Sequence, residues 1–286
     1  MSVVVTGATG QLGRLTVEAL LRRGIPGSDV IATGRDITGI KDLADRGVSV
    51  RRADFADPES LAAAFAGAGK LLLISASIPV GDRVANHRRA IDAALAAGVS
   101  LVAYTSMSQA DTAANLLAAT HRATEEYLRE RAVPAVLLRN SWYLENYTGQ
   151  LPAVLQNGTV MGSAGQGRVS AASRDDYAEA AAVVLTTEGH AGAVYELGGD
   201  EAFTLSEFAA AISAATGQQI AYTDLPADKL AQVLTNAGLP VEVADSVADA
   251  DLGLSRGELF TASGDLRRLI GRPTTSLPEA IAAALR

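Results

Sequence analysis

The chain has 286 residues, with 24 Lys and Arg against 32 Asp and Glu, for a net charge of −8. This balance argues against nucleic acid or an anionic membrane as a partner, because both require clustered Lys and Arg. Cysteine is absent. Its absence excludes disulfides, thiolate nucleophiles, iron–sulfur clusters and cysteine-bound zinc, so redox chemistry would depend on an organic cofactor.

Two further classes of protein are disfavoured. The histidines are His87, His121 and His190, and no two of them have the spacing of a metal site, so we predict no metal centre. No apolar run approaches the ~18 residues of a membrane-spanning helix. Because an apolar strand begins at Val3, we see no room for a signal sequence and expect a cytoplasmic protein.

The beginning of the chain carries a glycine-rich turn. Val3–Val5 is a β-branched run, and Leu12–Arg23 has apolar residues at helical spacing. The order strand, glycine turn, helix is typical of a dinucleotide site. In such a site Gly7 would permit the tight turn, Gly10 the approach of a pyrophosphate, and Gly13 the close packing of helix on strand. We predict that N–H groups and the helix dipole bind the pyrophosphate; an ordinary strand-to-helix turn is the alternative.

Short apolar runs alternate with helical patterns through the first half of the chain. The predicted strands are Val30–Ala32, Val48–Val50, Leu71–Ile74, Leu101–Tyr104 and Ala135–Leu138. The predicted helices are Pro58–Ala66, Asp82–Ala97 and Ala113–Arg131. Buried strands separated by helices predict a parallel sheet covered on both faces, a Rossmann-type doubly wound α/β fold.

The second half is less regular. Residues 157–167 contain four glycines and are interpreted as a hairpin or loop. Val194–Leu197 is predicted to return to the main sheet, and Ala202–Gly264 to form a mainly helical attachment. We therefore expect an NAD(P)-binding Rossmann domain over residues 1–150 and a smaller, mainly helical substrate-binding part with a closing C-terminal helix over residues 151–286.

Ligands of an open parallel sheet bind at the carboxyl ends of its strands, so the residues after each apolar run are candidates. Arg35 stands where an NAD-binding domain places an acid for the ribose 2′-hydroxyl, and could instead pair with the 2′-phosphate of NADP. The neighbouring Asp36 leaves this choice open. Asp54 and Phe55 follow the third strand, where they could contact the adenine, although Asp57 could simply cap the next helix.

Small and titratable side chains follow the next two strands. Ser75, Ala76 and Ser77 would let the nicotinamide ribose approach, or could be a loop that needs only small side chains. The fifth strand ends at Tyr104, but the chain has no Tyr-x-x-x-Lys motif, which argues against alcohol dehydrogenation by a tyrosine–lysine pair. On the next helix, His121 could bond a ribose hydroxyl or supply a proton; a plain polar role on a half-buried helix is the alternative.

The segment Arg139–Asn146 follows the sixth strand and contains Trp142, the single tryptophan. Its two amides and its aromatic side chains suit a flat organic ligand beside a nicotinamide ring. Core packing is the alternative for Trp142.

Six stretches of the chain carry a family resemblance. They are Thr6-Gly-Ala-Thr-Gly-Gln-Leu-Gly13, Lys70-Leu-Leu-Leu-Ile-Ser75, Ala103-Tyr-Thr-Ser106, Leu138-Arg-Asn-Ser-Trp-Tyr-Leu-Glu-Asn146, Gly189-His-Ala-Gly-Ala-Val-Tyr-Glu-Leu197 and Leu269-Ile-Gly-Arg-Pro-Thr-Thr275. From end to end the chain resembles the NmrA-like branch of the atypical short-chain dehydrogenases. It is similar in particular to the bacterial NAD(P)H:quinone oxidoreductases of that branch, with triphenylmethane reductases as further relatives.

The resemblance implies NADPH as the cofactor, with NADH as the alternative, and a quinone or a similar flat molecule as the substrate. The predicted cofactor contacts are Thr6, Gly7, Thr9, Gly10, Gln11, Leu12, Gly13, Arg35, Asp54, Phe55, Ser75, Ala76, Ser77, His121, Tyr143, Leu144, Glu145 and Asn146. The predicted catalytic contacts are His121, Asn140 and Tyr143. Many relatives carry a lysine where this chain has His121, which argues against strong general-acid catalysis.

Alternatives to the reductase remain at this point. Hydride transfer to a quinone needs little acid catalysis, because water can protonate the stable hydroquinone anion. A redox sensor that binds NADP(H) without turnover is the rival, since some NmrA-like proteins behave in this way. A sugar-nucleotide epimerase is disfavoured by the missing Tyr-x-x-x-Lys motif. We expect neither nucleic acid nor membrane as a partner, and a homodimer is an open alternative for the assembly.

Overall fold

The computed structural model describes residues 2–76 and 83–286. Its strands are β1 (Val3–Val5), β2 (Val30–Gly34), β3 (Ser49–Arg52), β4 (Lys70–Leu73), β5 (Leu101–Met107), β6 (Ala135–Asn140), β7 (Thr159–Gly162), β8 (Val194–Leu197) and β9 (Ala221–Asp224). Its helices are α1 (Gln11–Arg22), α2 (Lys41–Ala44), α3 (Pro58–Phe65), α4 (Arg83–Ala96), α5 (Leu116–Glu130), α6 (Leu144–Thr148), α7 (Leu151–Asn157), α8 (Arg174–Thr186), α9 (Leu205–Thr216), α10 (Ala227–Asn236), α11 (Val241–Ser255), α12 (Asp265–Ile270) and α13 (Leu277–Ala284). None of these helices is long and apolar enough to cross a bilayer.

Seven strands form one sheet in the order β3-β2-β1-β4-β5-β6-β8. The pairs β2–β3, β1–β2, β1–β4 and β4–β5 are parallel. All three residues of β1 are at most 3% exposed, which explains why this strand is apolar throughout rather than alternating. The strand order reverses at β1, so the ends of β1 and β4 mark the switch point where such sheets bind ligands. The predicted Rossmann-type α/β fold is confirmed.

Helix boundaries follow capping residues that the sequence displays. Asp57 is the N-cap of α3, where its carboxylate accepts from the N–H groups of Glu59 (3.1 Å) and Ser60 (3.2 Å). Thr204 and Glu207 form a reciprocal capping box at the start of α9. These contacts satisfy N–H groups that lack partners inside the helix, so the caps fix where each helix begins.

The predicted hairpin or loop over residues 157–167 is wrong. Residues Thr159–Gly162 form β7, which pairs in parallel with β9 to make a separate two-stranded sheet. Val160 is opposite Tyr222 in this pair. A hairpin would require an antiparallel partner close in sequence, whereas β9 begins about 60 residues later, beyond the reach of local pattern analysis.

The chain divides into two compact units, each built from three segments. The first unit comprises Met1–Ser106, Thr120–Arg139 and Arg174–Tyr195, and the second comprises Met107–Ala119, Asn140–Ser173 and Glu196–Arg286. The first unit has a core of aliphatic and aromatic side chains around Phe65 and Tyr104. The core of the second unit surrounds Tyr147 and Phe208. Neither unit is a continuous stretch of chain.

Candidate cofactor site

Thr6, the first residue after β1, anchors the glycine turn. Its buried hydroxyl donates to the carbonyl of Leu72 (3.1 Å) and accepts from the N–H of Ile74 (2.9 Å). The N–H of Ala8 donates to the carbonyl of Thr33 in β2 (2.8 Å). The turn is therefore held between β2 and β4 at the switch point, and Thr6 supports its backbone.

The glycines of the turn are required for different reasons. Gly7 has φ +62°, a left-handed conformation that side chains disfavour. A Cβ atom on Gly13 would lie 2.3 Å from the carbonyl oxygen of Gly7, so only glycine lets α1 approach the turn this closely. A Cβ on Gly10 would lie 3.3 Å from the same oxygen, a tight contact but not an impossible one. Gly7 and Gly13 thus have the conformational roles expected from the motif.

The N-terminus of α1 has the features of an anion site. Gly10 is its N-cap and supplies no side-chain acceptor, and the first turn contains no acidic residue. Thr9, Gly10 and Gln11 are exposed, whereas Leu12 is buried. The first N–H groups of a helix have no partner inside it, and the helix dipole adds positive potential there. This end of α1 can therefore bind a phosphate group.

Arg35 follows β2 and is exposed. Across the described ranges it forms no ion pair, whereas Arg14 is paired with Asp42. The neighbouring Asp36 is engaged elsewhere: its Oδ1 accepts from the N–H (2.9 Å) and the hydroxyl (2.7 Å) of Thr38. These bonds hold the pKa of Asp36 below its usual value. Arg35 therefore presents a guanidinium that suits a phosphate.

Asp54 and Phe55 both make structural contacts after β3. The carboxylate of Asp54 accepts from the N–H of Ala56 (3.0 Å), and its own N–H donates to the hydroxyl of Ser60 (3.0 Å). The half-buried ring of Phe55 meets His87 edge-on, with 6.4 Å between ring centroids. Their contact with an adenine stays a prediction.

Two amides after β4 are held by side chains from other elements. The Ser75 N–H donates to the hydroxyl of Thr105 in β5 (2.9 Å), and the Ala76 N–H donates to Nε2 of His87 in α4 (3.0 Å). Ser77, also predicted to contact the cofactor, lies outside the described residues. The hydroxyl of Thr105 and the ring of His87 thus hold the backbone of Ser75 and Ala76 in place.

His121 lies in α5 and is only 5% exposed. Its Nε2 is 2.9 Å from Nη2 of Arg83, and its Nδ1 is 2.8 Å from the hydroxyl of Tyr104. Because a guanidinium only donates, Nε2 accepts and Nδ1 carries the hydrogen that is donated to Tyr104. Burial and the Arg83 charge hold the pKa of His121 well below its usual value. The ring is therefore neutral, and it does not fit the predicted role of proton donor or ribose ligand.

In the second unit, Asn140 ends β6 and is 6% exposed. Its buried Oδ1 accepts no hydrogen bond from any residue that the structure describes. The next residue, Ser141, donates its hydroxyl to the carbonyl of Leu259 (2.6 Å). Buried polar atoms almost always have hydrogen-bond partners, so the amide oxygen of Asn140 is a candidate acceptor for a hydrogen bond from a ligand.

The remaining residues of this segment divide into buried and accessible side chains. Leu144 is 1% exposed within the core of the second unit, so its side chain packs in that core, and its contact with a cofactor stays a prediction. Trp142 is partly buried and packs against the same core, which supports the core-packing alternative. Tyr143, Glu145 and Asn146 are half-exposed and remain candidates for ligand contacts.

The sequence did not predict a group of buried, charged and polar side chains in the first unit. Arg139 forms a buried ion pair with Glu125, and Ser106 donates its hydroxyl to the same carboxylate (2.6 Å). The available signal was an arginine at the end of an otherwise apolar strand, which requires a buried countercharge. Among the residues described, no three His, Asp or Glu side chains form a cluster able to hold a metal ion.

The sequence of the chain is similar to those of known proteins over most of its length. A family model described as the NmrA-like family matches residues 1–253. Quinone oxidoreductase 2 of Escherichia coli (strain K12) is 45% identical over 279 residues, which cover 98% of this chain and 97% of that protein.

Solved structures agree with the sequence comparison. The crystal structure of an NADPH-dependent quinone oxidoreductase from Escherichia coli complexed with NADPH has a TM-score of 0.95 and 44% identity, covering 99% of this chain and 100% of that chain. The triphenylmethane reductase of Citrobacter sp. complexed with NADP(H) has a TM-score of 0.93 and 38% identity, with the same coverage.

Proposed function

The chain belongs to the NmrA-like family, and from this premise we propose that it is an NADPH-dependent oxidoreductase that reduces quinones or similar flat conjugated acceptors. Similarity over the full length to a quinone oxidoreductase supports this activity over that of a cofactor sensor. The observation that carries the cofactor assignment is the exposed glycine turn after β1 together with Arg35 after the neighbouring strand β2, an arginine that forms no ion pair with any residue the structure describes.

The first unit binds the cofactor. The N–H groups at the start of α1, from Gln11 to Gly13, bind the pyrophosphate, and the side chains of Thr9 and Gln11 are exposed beside them. Arg35 pairs with the 2′-phosphate, and Asp54 and Phe55 contact the adenine. Ser75 and Ala76 contact the nicotinamide ribose, and the anchored backbone of this segment keeps that position fixed.

When bound, NADPH would supply a hydride, which carries two electrons and one hydrogen to the quinone, and one further proton from water would complete the hydroquinone. Asn140, Tyr143, Glu145 and Asn146 are the further residues proposed to contact a ligand, with Asn140 Oδ1 as a hydrogen-bond acceptor. His121 takes no part in proton transfer because its ring is buried and neutral. The protein's contribution is orientation and the exclusion of water around the reacting atoms.

Turnover with a panel of acceptors tests this function. We expect purified protein to oxidise NADPH in the presence of benzoquinones, naphthoquinones or cationic dyes, with NADH a poorer donor. No oxidation with any member of the panel would refute the activity. Similar affinity for NADPH and NADP⁺ without turnover would instead indicate a redox sensor.

The cellular location, the partner and the assembly of the protein are further proposals. We propose a cytoplasmic enzyme with a small-molecule acceptor as its partner, and a homodimer as its assembly. Light scattering of the purified protein gives the molar mass directly, and a monomer of 29.4 kDa would refute the dimer.

A further inference from the structure

His87 is buried, yet it contacts segments that follow three different strands. Its Nε2 accepts from the N–H of Ala76 (3.0 Å), and its Nδ1 lies 2.9 Å from the hydroxyl of Thr124 in α5. Its ring meets those of Phe55 and Tyr104 edge-on, with centroid distances of 6.4 and 5.6 Å. One imidazole therefore joins α4 and α5 to the loops after β3 and β4.

We propose that His87 is a positioning residue for hydride transfer: through Ala76 it fixes the segment that holds the nicotinamide half of the cofactor. This inference rests on the proposed function, which assigns Ser75 and Ala76 to the nicotinamide ribose. His87 itself touches no ligand, because its side chain is 0% exposed; it acts through its hydrogen bond with the N–H of Ala76.

The hydrogen bonds require one form of the ring. A backbone N–H only donates, so Nε2 of His87 must be unprotonated and Nδ1 must carry the hydrogen that is donated to Thr124. An imidazolium would turn a donor toward the N–H of Ala76 and break this contact. Burial and the charge of Arg83 lower the pKa of His87 to about 3, which keeps the ring neutral at physiological pH.

The neighbouring amides show why an imidazole matters at this position. The N–H groups of Ile74 and Ser75 donate to the hydroxyls of Thr6, directly after β1, and of Thr105, in β5. Ala76 is the residue farthest from β4 in this anchored run, and its acceptor comes from a helix. A rigid ring with an acceptor on one side and a donor on the other spans from Ala76 to α5, which a short hydroxyl side chain does not reach.

Substitution of His87 by glutamine or by asparagine distinguishes the hydrogen bond of Nε2 from that of Nδ1. In His87→Gln the side-chain oxygen can replace Nε2 and accept from Ala76, whereas in His87→Asn the shorter amide reaches only the position of Nδ1. Both variants lose the ring packing. An unpaired buried N–H is destabilising, so we expect His87→Asn to raise the KM and Kd for NADPH about tenfold and His87→Gln to stay within about threefold of wild type.

His190 provides the matched control. Its ring nitrogens lie 2.7 Å from the hydroxyls of Thr187 and Tyr195, so it also bridges two partners, but it contacts none of the proposed cofactor residues. His190→Asn and His190→Gln should both bind NADPH and turn over as wild type does.

The outcomes distinguish the role of His87 from the activity itself. Equal KM and Kd values for the two His87 variants, or losses that simply follow their melting temperatures, would overturn the positioning role. NADPH binding is measured by calorimetry without any acceptor. Wild-type protein that binds NADPH but reduces no quinone therefore refutes the proposed activity, while the Asn and Gln comparison still decides on His87.

A measurement on wild-type protein covers the case in which neither variant folds. Spectra of protein labelled with ¹⁵N-histidine report the tautomer of each ring. The positioning role requires an Nδ1–H tautomer for His87 at pH 7, and an Nε2–H ring or an imidazolium would overturn it.

Discussion

Arg139 and Glu125 form a two-point ion pair inside the first unit. Nε of Arg139 is 2.9 Å from Oε1 of Glu125, and its Nη2 is 2.7 Å from Oε2. The two side chains are 7% and 1% exposed. Such a pair adds little net stability when compared with apolar residues, but the loss of one partner leaves a buried charge without compensation.

Glu125→Gln should therefore be severely destabilising. We expect the free energy of unfolding to fall by about 3–5 kcal/mol, because the guanidinium of Arg139 remains buried without its countercharge. The double variant Glu125→Gln/Arg139→Met should recover a large part of this loss. Urea unfolding of the single and double variants measures both, and an equal loss in the two would contradict the explanation.

Gly13→Ala should disrupt the glycine turn. The new methyl group would lie 2.3 Å from the Gly7 carbonyl oxygen, so α1 or the turn must move. We expect NADPH affinity to fall more than tenfold, about 1.4 kcal/mol or more. Gly39→Ala is the control, since a Cβ there meets nothing within 4 Å. Unchanged NADPH binding in Gly13→Ala would show that the turn does not hold the pyrophosphate.

Arg35→Ala should alter the preference for the cofactor. Loss of a charged hydrogen-bonding partner of the 2′-phosphate is expected to raise the KM for NADPH about 10–100-fold and to leave that for NADH nearly unchanged. Arg89→Ala serves as the control, because this exposed guanidinium bonds to Asn86 at 2.8 Å on α4. If Arg35→Ala raises both KM values equally, the 2′-phosphate role is refuted.

The stability of the fold should decrease on mild acidification. The pKa of His87 is lowered from 6.5 to about 3 by burial, and that of His121 is lowered well below 6.5 by burial and by Arg83. Above pH 6.5 both histidines are neutral in the folded and unfolded chains, so their contribution to stability is fully present. Below that pH the unfolded chain binds protons that the folded chain does not, and stability falls by up to about 1.4 kcal/mol per pH unit for each histidine.

Unfolding measured at pH 7.5, 6 and 5 checks this dependence. Acidic residues add their own pH dependence, so the informative quantity is the difference between wild type and His87→Gln. The variant should lose less stability between pH 6.5 and 5 than wild type does. Identical slopes would mean that His87 titrates normally in the folded protein.

Features encoded locally could be predicted from the sequence. The apolar run at Val3–Val5, the cap at Asp57 and the conformation of Gly7 each depend on neighbouring residues, and the structure has them as expected. The parallel sheet covered on both faces follows from the alternation of buried strands with helices. For the same reason the glycine turn and Arg35 could be placed at the carboxyl ends of their strands.

Features that depend on distant residues could not be predicted. The pairing of β7 with β9 joins segments separated by three elements of structure. His121 looked like a titratable group on a helix, because nothing local reveals that Arg83 and Tyr104 occupy both of its nitrogens. In a buried imidazole one nitrogen accepts a hydrogen bond and the other donates one, and this assignment requires the positions of all the neighbouring donors and acceptors.

The segmented construction of the first unit limits how the protein can be cut. Helix α8 belongs to that unit, and it is joined to α1 by the ion pairs of Arg22 with Asp175 (3.1 Å) and of Arg23 with Glu179 (2.9 Å). A fragment that stops at residue 150 would keep every glycine of the dinucleotide motif but would expose the side of α1 that α8 covers. Shortened versions intended for cofactor studies therefore need the chain at least through Tyr195. Deletion of α8 would remove support from α1, the helix whose first turn is proposed to bind phosphate.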